Sequence, residues 1–354
     1  MIGYYVHHQG RGHASRAAAV AARLGREVTG LSSSPRPDGW AGEWIELPRD
    51  NGPAADPGAG GDAAGGAGGA ASDAPDAGGV LHWAPLRHEG LRRRSAAISE
   101  WIERTRPAAM VVDVSVEVAL LARLHGVPVV SVVLPGERSD GPHRLGFGVS
   151  SALIAAWPPA ATGMVRGLTA SDADRLEEVG AISRKPSSTS ASTLGTTALR
   201  VLVLAGAGGG GAEARVLEEA RADTPDWHWD VVGGTSGRWV DDPWPLIVAA
   251  DVVVAHAGQN AIAEIAAARR PAVIVPEDRP HDEQRSTAAV LRRSEWPAVV
   301  LDRFPSSGWP ALLERAAAQD GALWQGWNDG LGAERAAAVI RRVADAARVP
   351  TVVS

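Results

Sequence analysis

The sequence predicts an α/β protein of two similar halves, each a parallel sheet with crossover helices, the two facing a cleft. Three observations carry this expectation. Short β-branched runs alternate with alanine-rich stretches of helical period along most of the 354 residues, the pattern of repeated strand–helix–strand units. The alternation comes in two series, separated at 187–197 by a Ser/Thr-rich stretch that reads as a linker. The chain is also long enough for two domains with a core each. The expected division is 1–190 and 191–354.

In the first series a strand at Ile2–Val6 leads into a helix over 14–24. Residues 51–79 then break the pattern, being Gly, Ala, Asp and Pro almost throughout. Such a stretch has too little apolar surface to offset its ordering entropy, so a disordered surface loop is expected. Order resumes with a helix over 91–104, a strand at 110–112, a helix at Val116–Leu124 and a buried strand at 128–134. The second series places strands at 200–205, 228–232, 251–255 and 272–275. Its helices fall at 212–222, 260–268, Glu283–Arg293 and 333–347, the last able to pack back on the first half. Halves of this kind are Rossmann-like, and their ligands sit outside the carboxyl ends of the strands.

Composition removes several classes of function. With 35 basic against 41 acidic residues the net charge is −6, so no surplus positive charge is available to neutralise nucleic-acid phosphates. Cysteine is absent, which excludes disulfides, thiolate metal sites and cysteine nucleophiles. The chain opens on Ile2-Gly3-Tyr4-Tyr5-Val6 without the basic and apolar regions of a secretory signal. The best apolar run, 116–134, is broken by Arg123, His125 and Pro128, too interrupted for a bilayer span. A cytoplasmic protein is expected, with peripheral contact at the inner face of a membrane left open.

Chemistry concentrates at three strand ends. In Asp251-Val-Val-Val-Ala-His256-Ala-Gly258-Gln259-Asn260-Ala-Ile-Ala-Glu264, an apolar strand ends in a turn bearing His256, Gly258 and Gln259, and a helix starts near Asn260. The turn's polar groups and the free N–H groups of the helix suit an anion such as a diphosphate. Glu264, four residues after Asn260, lies on the same helix face, where a carboxylate can accept two hydrogen bonds from a ribose diol. The next strand ends in Pro276 and a loop carrying Glu283 and Gln284, placed to meet sugar hydroxyls. The plain alternative is an N-capped helix after a buried strand.

At these residues the chain resembles the GT-B glycosyltransferases. The spacing His-x-Gly-x-Asn-x-x-x-Glu, followed by Glu283-Gln284, looks like their donor-binding signature. More narrowly, the second half is similar to the glycosyltransferase family 28 C-terminal domain. The resemblance implies a GT-B fold, two Rossmann-like domains with the acceptor half first. It also implies site roles: His256 and Asn260 near the diphosphate, Glu264 on the ribose, Glu283 and Gln284 on the donor sugar. One departure is Ala261, where the plant-type signature carries a serine.

A second cluster, Gly206-Ala-Gly208-Gly209-Gly210-Gly211, joins a strand to a helix and fits Gly-x-Gly-x-x-Gly. A nicotinamide enzyme would also need an acid at the end of the next strand, whereas Asp230 precedes Val231-Val232-Gly233. By resemblance to family 28, Gly206, Gly208 and Gly209 contact the donor diphosphate; a tight turn without ligand is the alternative.

The third cluster is the loop His7-His8-Gln9-Gly10-Arg11-Gly12-His13, after the first strand. It resembles the first glycine-rich loop of GT-B enzymes, which ends in Gly-His. Gly10, Arg11 and Gly12 then form an acceptor-side loop, and His13 is the general base on the acceptor hydroxyl, or a group near the leaving diphosphate. In plant-type relatives a strand-end aspartate orients that base, and Asp113 matches its position, fixing the tautomer. The alternative for His7, His8 and His13 is ordinary loop residues or an adventitious metal site, since no carboxylate stands at short spacing. His143 and Arg144 are further candidates for the acceptor side.

Two motifs are set aside. Asp172-Ala-Asp174 fits the Asp-x-Asp of metal-dependent transferases but follows no apolar strand, so Ser171 or Asp172 is read as a helix N-cap. Arg92-Arg93-Arg94 is read as a solvated helix face. The resulting expectation is metal-independent transfer of a sugar from a nucleoside diphosphate sugar, UDP-linked as the resemblance implies, to a hydroxyl acceptor, with no cofactor. The acceptor itself, whether glycolipid, polysaccharide or small molecule, is not specified. A UDP-sugar 2-epimerase, a non-catalytic sugar-nucleotide-binding subunit and a nicotinamide-dependent oxidoreductase are the rivals.

Overall fold

A computed structural model describes residues 1–8, 11–50, 74–185, 187, 199–205, 214–293 and 295–347. The first half runs β1 (Ile2–Val6), α1 (Arg11–Leu24), β2 (Val28–Ser32), β3 (Trp44–Glu46), α2 (Glu89–Thr105), β4 (Ala109–Asp113), α3 (Val116–Leu124) and β5 (Val129–Val133). It continues with β6 (Gly136–Glu137), α4 (Gly141–Gly148), β7 (Ala152–Ala155), β8 (Val165–Arg166), α5 (Ala170–Ala173) and β9 (Leu176–Glu178). Seven strands form one parallel sheet in the order β3-β2-β1-β4-β5-β7-β9, and β6 pairs with β8 apart from it.

The second half contains β10 (Leu199–Leu204), α6 (Ala214–Asp223), β11 (Trp227–Val232), α7 (Trp244–Ala249), β12 (Val252–Ala255), α8 (Gln259–Ala268) and β13 (Ala272–Ile274). It ends with α9 (Glu283–Arg293), β14 (Ala298–Val300), α10 (Trp309–Ala317) and α11 (Gly332–Ala346). Its parallel sheet has the order β11-β10-β12-β13-β14. The central strands β1, β4, β5 and β12 are buried along their whole length, as helices on both faces of a parallel sheet require. Two Rossmann-like units joined in this way form the GT-B fold.

The strongly periodic elements fall where the sequence places them, and several weaker ones were not foreseen. β2 mixes Thr, Gly and Ser with only two large apolar residues, and β7 is half alanine; both become strands because neighbours pair with them. The helix expected over 14–24 begins three residues earlier, at Arg11.

Two readings of polar motifs change. The N-cap of α5 is Thr169, not Ser171 or Asp172; Asp172 is the third helical residue, completing a capping box with its carboxylate. Of the three arginines in α2, Arg92 and Arg93 are exposed and pair with Glu89, but Arg94 is buried. Its guanidinium donates to Tyr5 Oη at 2.5 Å, to Ser33 Oγ and to the Pro48 carbonyl, bonds that lie outside the helix and leave no local trace in sequence. Of the loop expected over 51–79, only 74–79 fall among the described residues, where they form turns. Nearly all of the expected linker at 187–197 lies outside them.

Apolar packing joins the two halves. One core contains Val133, Leu153 and Trp157 from the first half together with Ile262, Ile265 and Leu291 from the second. The final helix crosses back: Ala336, Val339, Ile340 and Ala344 of α11 sit in a core with Val6, Ala17, Val20 and Val111.

Candidate active site

In each sheet there is one place where consecutive crossovers leave in opposite directions, opening a crevice at the carboxyl ends of two neighbouring strands. In the first sheet these strands are β1 and β4. Asp113 closes β4, and His13 stands in the first turn of α1, reached by the loop from β1. His13 Nδ1 and Asp113 Oδ1 are 2.9 Å apart. Asp113 is completely buried, whereas His13 keeps 17% of its side chain exposed, so the imidazole is the outward-facing member.

The chain leaves Asp113 through Val114, whose φ of 63° puts a β-branched residue in the left-handed region. That conformation costs on the order of 1–2 kcal/mol. It lets α3 begin at once, with Ser115 as N-cap accepting from Val118 N, so strand end and helix start share one sharp turn.

Arg16, which the sequence reading did not single out, completes this group. One turn after His13, it donates to Asp113 through Nη2 at 2.6 Å and through Nε at 3.3 Å. Burial alone would raise the Asp113 pKa, but the Arg16 cation and His13 outweigh it and hold the carboxyl far below its ordinary range. Burial likewise opposes the charge on Arg16, and the Asp113 carboxylate overcomes it, raising the guanidinium pKa. The signal in sequence is the i, i+3 spacing of His13 and Arg16; their common partner is 97 residues from Arg16.

His7 packs against this group, its ring 5.6 Å from that of His13. Burial, then the neighbouring His13 and His8, lower its pKa to about 4, so it is neutral at neutral pH.

In the second sheet the crevice lies between β10 and β12. A cleft opens there, lined by Leu204, Ala205, Ala255, His256, Pro276 and Glu277 among others. His256 Nδ1 accepts the backbone N–H of Gly258 at 3.0 Å, so in the neutral ring the proton resides on Nε2. Burial lowers the pKa of His256 and favours that neutral form. Gly258 is the N-cap of α8; a Cβ on it would lie 2.5 Å from His256 Cε1, so only glycine lets the imidazole fold over the helix start.

Gln259 and Asn260 are the first two residues of α8, and Glu264 follows on its partly buried side. Burial raises the pKa of Glu264.

Gln284, expected on the donor sugar, has its amide oxygen engaged within the chain. Its side chain is 3% exposed, and its Oε1 accepts from Ala257 N at 3.1 Å and Glu277 N at 2.9 Å. It therefore ties the loop after β12 to the loop after β13. Glu283 begins α9; its charge helps to raise the pKa of Arg16, and at Arg138 it opposes the burial that lowers the guanidinium pKa. Of the other expected residues, Arg11 opens α1; Gly10, Gly206, Gly208 and Gly209 lie outside the described residues.

The two crevices meet. Arg16 Nη1 donates to Gln259 Oε1 across the interface at 3.1 Å. A Cβ on Gly12 would lie 1.7 Å from Asn260 Nδ2, so the start of α1 rests directly on the start of α8. On the first-half side a cleft is lined by Val112 and Val114, the chain neighbours of Asp113, and by Ser115, Arg138, His143 and Phe147 among others. Of the two residues expected on that side, His143 lines this cleft, whereas Arg144 is exposed.

Comparison with known proteins places these observations. Residues 238–302 match the glycosyltransferase family 28 C-terminal domain, a segment that includes His256, Gly258, Gln259, Asn260, Glu264, Glu283 and Gln284. No curated protein matches the chain. Among solved structures the chain is similar to the glycotransferase of kitacinnamycin, with 16% identity, a TM-score of 0.62, and 97% of this chain and 98% of that one covered. It is similar to MurG of Acinetobacter baumannii at 16% identity and a TM-score of 0.59, covering 96% and 99%. It is also similar to UGT89C1 of Arabidopsis thaliana in complex with UDP, at 12% identity and a TM-score of 0.64, covering 98% and 99%. Among the described residues no helix is long and apolar enough to cross a membrane.

Proposed function

We propose that this protein transfers a glycosyl group from a nucleoside diphosphate sugar, UDP-linked, to a hydroxyl acceptor held in the first half. The observation that carries the reading is the meeting of the two crevices. An imidazole paired with a buried carboxylate stands at one, a helix N-terminus with a neutral histidine at the other, and Arg16–Gln259 joins them. UDP in the complex of the Arabidopsis neighbour supports the choice of nucleotide.

In this reading Asp113 accepts the Nδ1 proton of His13, which leaves Nε2 as the base. Nε2 takes the acceptor hydroxyl proton as the oxygen attacks the anomeric carbon, and the bond from that carbon to the diphosphate oxygen breaks. The departing diphosphate carries the electron pair. The free N–H groups of α8 and the Nε2–H of His256 stabilise its charge, which strengthens as the bond breaks. Glu264 holds the ribose diol, and Glu283 lies where the donor sugar meets the first half. The glycine-rich stretch at 206–211 is assigned to the diphosphate on the resemblance. Because N–H donors bear the leaving charge, the reaction needs no metal ion.

The test is ligand-observed NMR with UDP, dTDP, GDP and NAD mixed, without divalent metal, followed by consumption of the bound UDP-sugar. UDP is expected to bind, and Glu264→Ala to abolish its signal. His13→Ala is expected to keep UDP but lower donor turnover about 10²–10⁴-fold, the range for losing a general base. Binding of NAD alone, or equal turnover in His13→Ala, would sink the proposal.

A further inference from the structure

Beside the acceptor-side cleft stands a second group of titratable side chains that the transfer chemistry does not use. His82 comes from the loop ahead of α2, Asp140 is the N-cap of α4, and His143 lies in the first turn of that helix. His281 reaches the same point from the second half, on the loop leading into α9. One ligand atom from each of the four lies within 4.8 Å of all the others. We propose that His82, Asp140, His143 and His281 bind one divalent transition-metal ion of the zinc class, closing the two halves on each other beside the cleft.

The distances fit a small contraction around an ion. Zinc–ligand bonds of about 2.0–2.2 Å set the edges of a tetrahedron at roughly 3.3–3.6 Å. The two oxygens of Asp140 each face an imidazole at about such a distance, Oδ2 3.4 Å from His281 Nδ1 and Oδ1 3.6 Å from His82 Nε2, and a turn of the carboxylate brings one oxygen to both. Asp140 Oδ2 and His143 Nδ1 are closer, at 2.7 Å, because they share a proton that the ion would replace. Three imidazoles and one carboxylate favour zinc, cobalt or nickel, whereas calcium and magnesium require oxygen donors. Four protein ligands fill a tetrahedral shell, the composition of a structural site with no open position.

The backbone holds His281 at the site against its own preference. His281 and Asp282 both have positive φ, 60° and 56°, a conformation that costs non-glycine residues on the order of 1 kcal/mol or more each. A Cβ on Gly136 would lie 2.2 Å from the His281 carbonyl oxygen, so β6 packs hard against this loop. Arg138 opposes the ion: its Nη1 is 3.2 Å from His143 Nε2. With metal on Nδ1, Nε2 carries the proton and the guanidinium must turn away, which keeps the affinity below that of a dedicated zinc finger.

The experiment uses the full chain after chelation, titrated with Co²⁺ and followed by visible absorption, with Zn²⁺ as competitor. Expected are tetrahedral d–d bands saturating at one ion per chain, and a rise in Tm with Zn²⁺. His281→Ala and His82→Ala, both at partly exposed positions, should keep the far-UV dichroism of the parent and weaken Co²⁺ binding at least about tenfold, while abolishing the Zn²⁺-induced rise in Tm. His143→Ala should do the same. Absence of binding, octahedral bands, or binding unchanged in His281→Ala would overturn the site; an ion held by His7 and His8 would give that last result. No sugar nucleotide enters the measurement, so its outcome is independent of the transferase reading.

Discussion

Arg16 sets the electrostatics of the dyad, because it is the only cation hydrogen-bonded to the buried Asp113 among the described residues. Asp113→Asn removes the carboxylate while leaving a guanidinium that is 3% exposed. The variant should lose about 3–5 kcal/mol of stability, the usual result of stranding a buried charge, and should turn over donor at least about 10²-fold more slowly, measured by denaturant unfolding and UDP release. Asp113 also contributes to acid sensitivity. Its folded pKa is depressed, so its stabilisation is complete above the unfolded value near 4 and fades as pH falls below it. His7 acts at higher pH. Its folded pKa of about 4 lies below its unfolded value of 6.5, so between those limits the unfolded chain binds the extra proton and stability rises with pH. The groups facing it are His8, His13, Asp113 and Asp50. Denaturant midpoints should fall from pH 7 to pH 4.5 more steeply in the parent than in His7→Gln; equal slopes would reject the assignment.

At the scale of elements, the start of α1 and the start of α8 form a single unit through glycine. Gly12 lies inside the first turn of α1, at a φ that alanine tolerates, and alanine is the better helix former by about 1 kcal/mol. Gly12→Ala should therefore leave the first half as stable as before. Its methyl group must still displace Asn260, 1.7 Å away, and donor affinity should drop about tenfold or more by titration calorimetry with UDP. Unchanged affinity would mean that the α1–α8 seam does not shape the donor site. Gly258→Ala makes the parallel case within one half, pushing His256 off the helix start. Both glycines stand in motifs visible in the sequence, yet their neighbours could be named only once α1 and α8 were seen to touch.

For the molecule as a whole, α11 decides how the chain comes apart. Ile340 is 1% exposed and packs in a core with β1, α1 and β4 although it lies far along the chain. Ile340→Ala should cost about 2–5 kcal/mol and lower the unfolding midpoint of the first half, read by urea melts with a tryptophan there, Trp101, as probe. A fragment ending at residue 190 lacks α11 and exposes the apolar face it covers, so it should be recovered aggregated or unfolded. Recovery of a folded fragment with the parent's near-UV dichroism would show that α11 is dispensable.

Local chemistry determined much of this protein in advance. Alternating β-branched and alanine-rich runs specify parallel-sheet halves because strand and helix periods differ. The turn 256–264 was legible as an anion site because a strand end, a glycine and a helix start are consecutive in the chain. His13 and Asp113 could be paired only through resemblance, since 100 residues separate them. The tertiary structure alone decided the rest: the burial of Arg94, the link from Arg16 to Gln259, the use of Gln284 to tie two loops, and the convergence of His82, Asp140, His143 and His281. The physical reason is common to all four. Each depends on a partner or a burial set by how distant segments pack, and a side chain's local sequence carries no record of what will be brought against it.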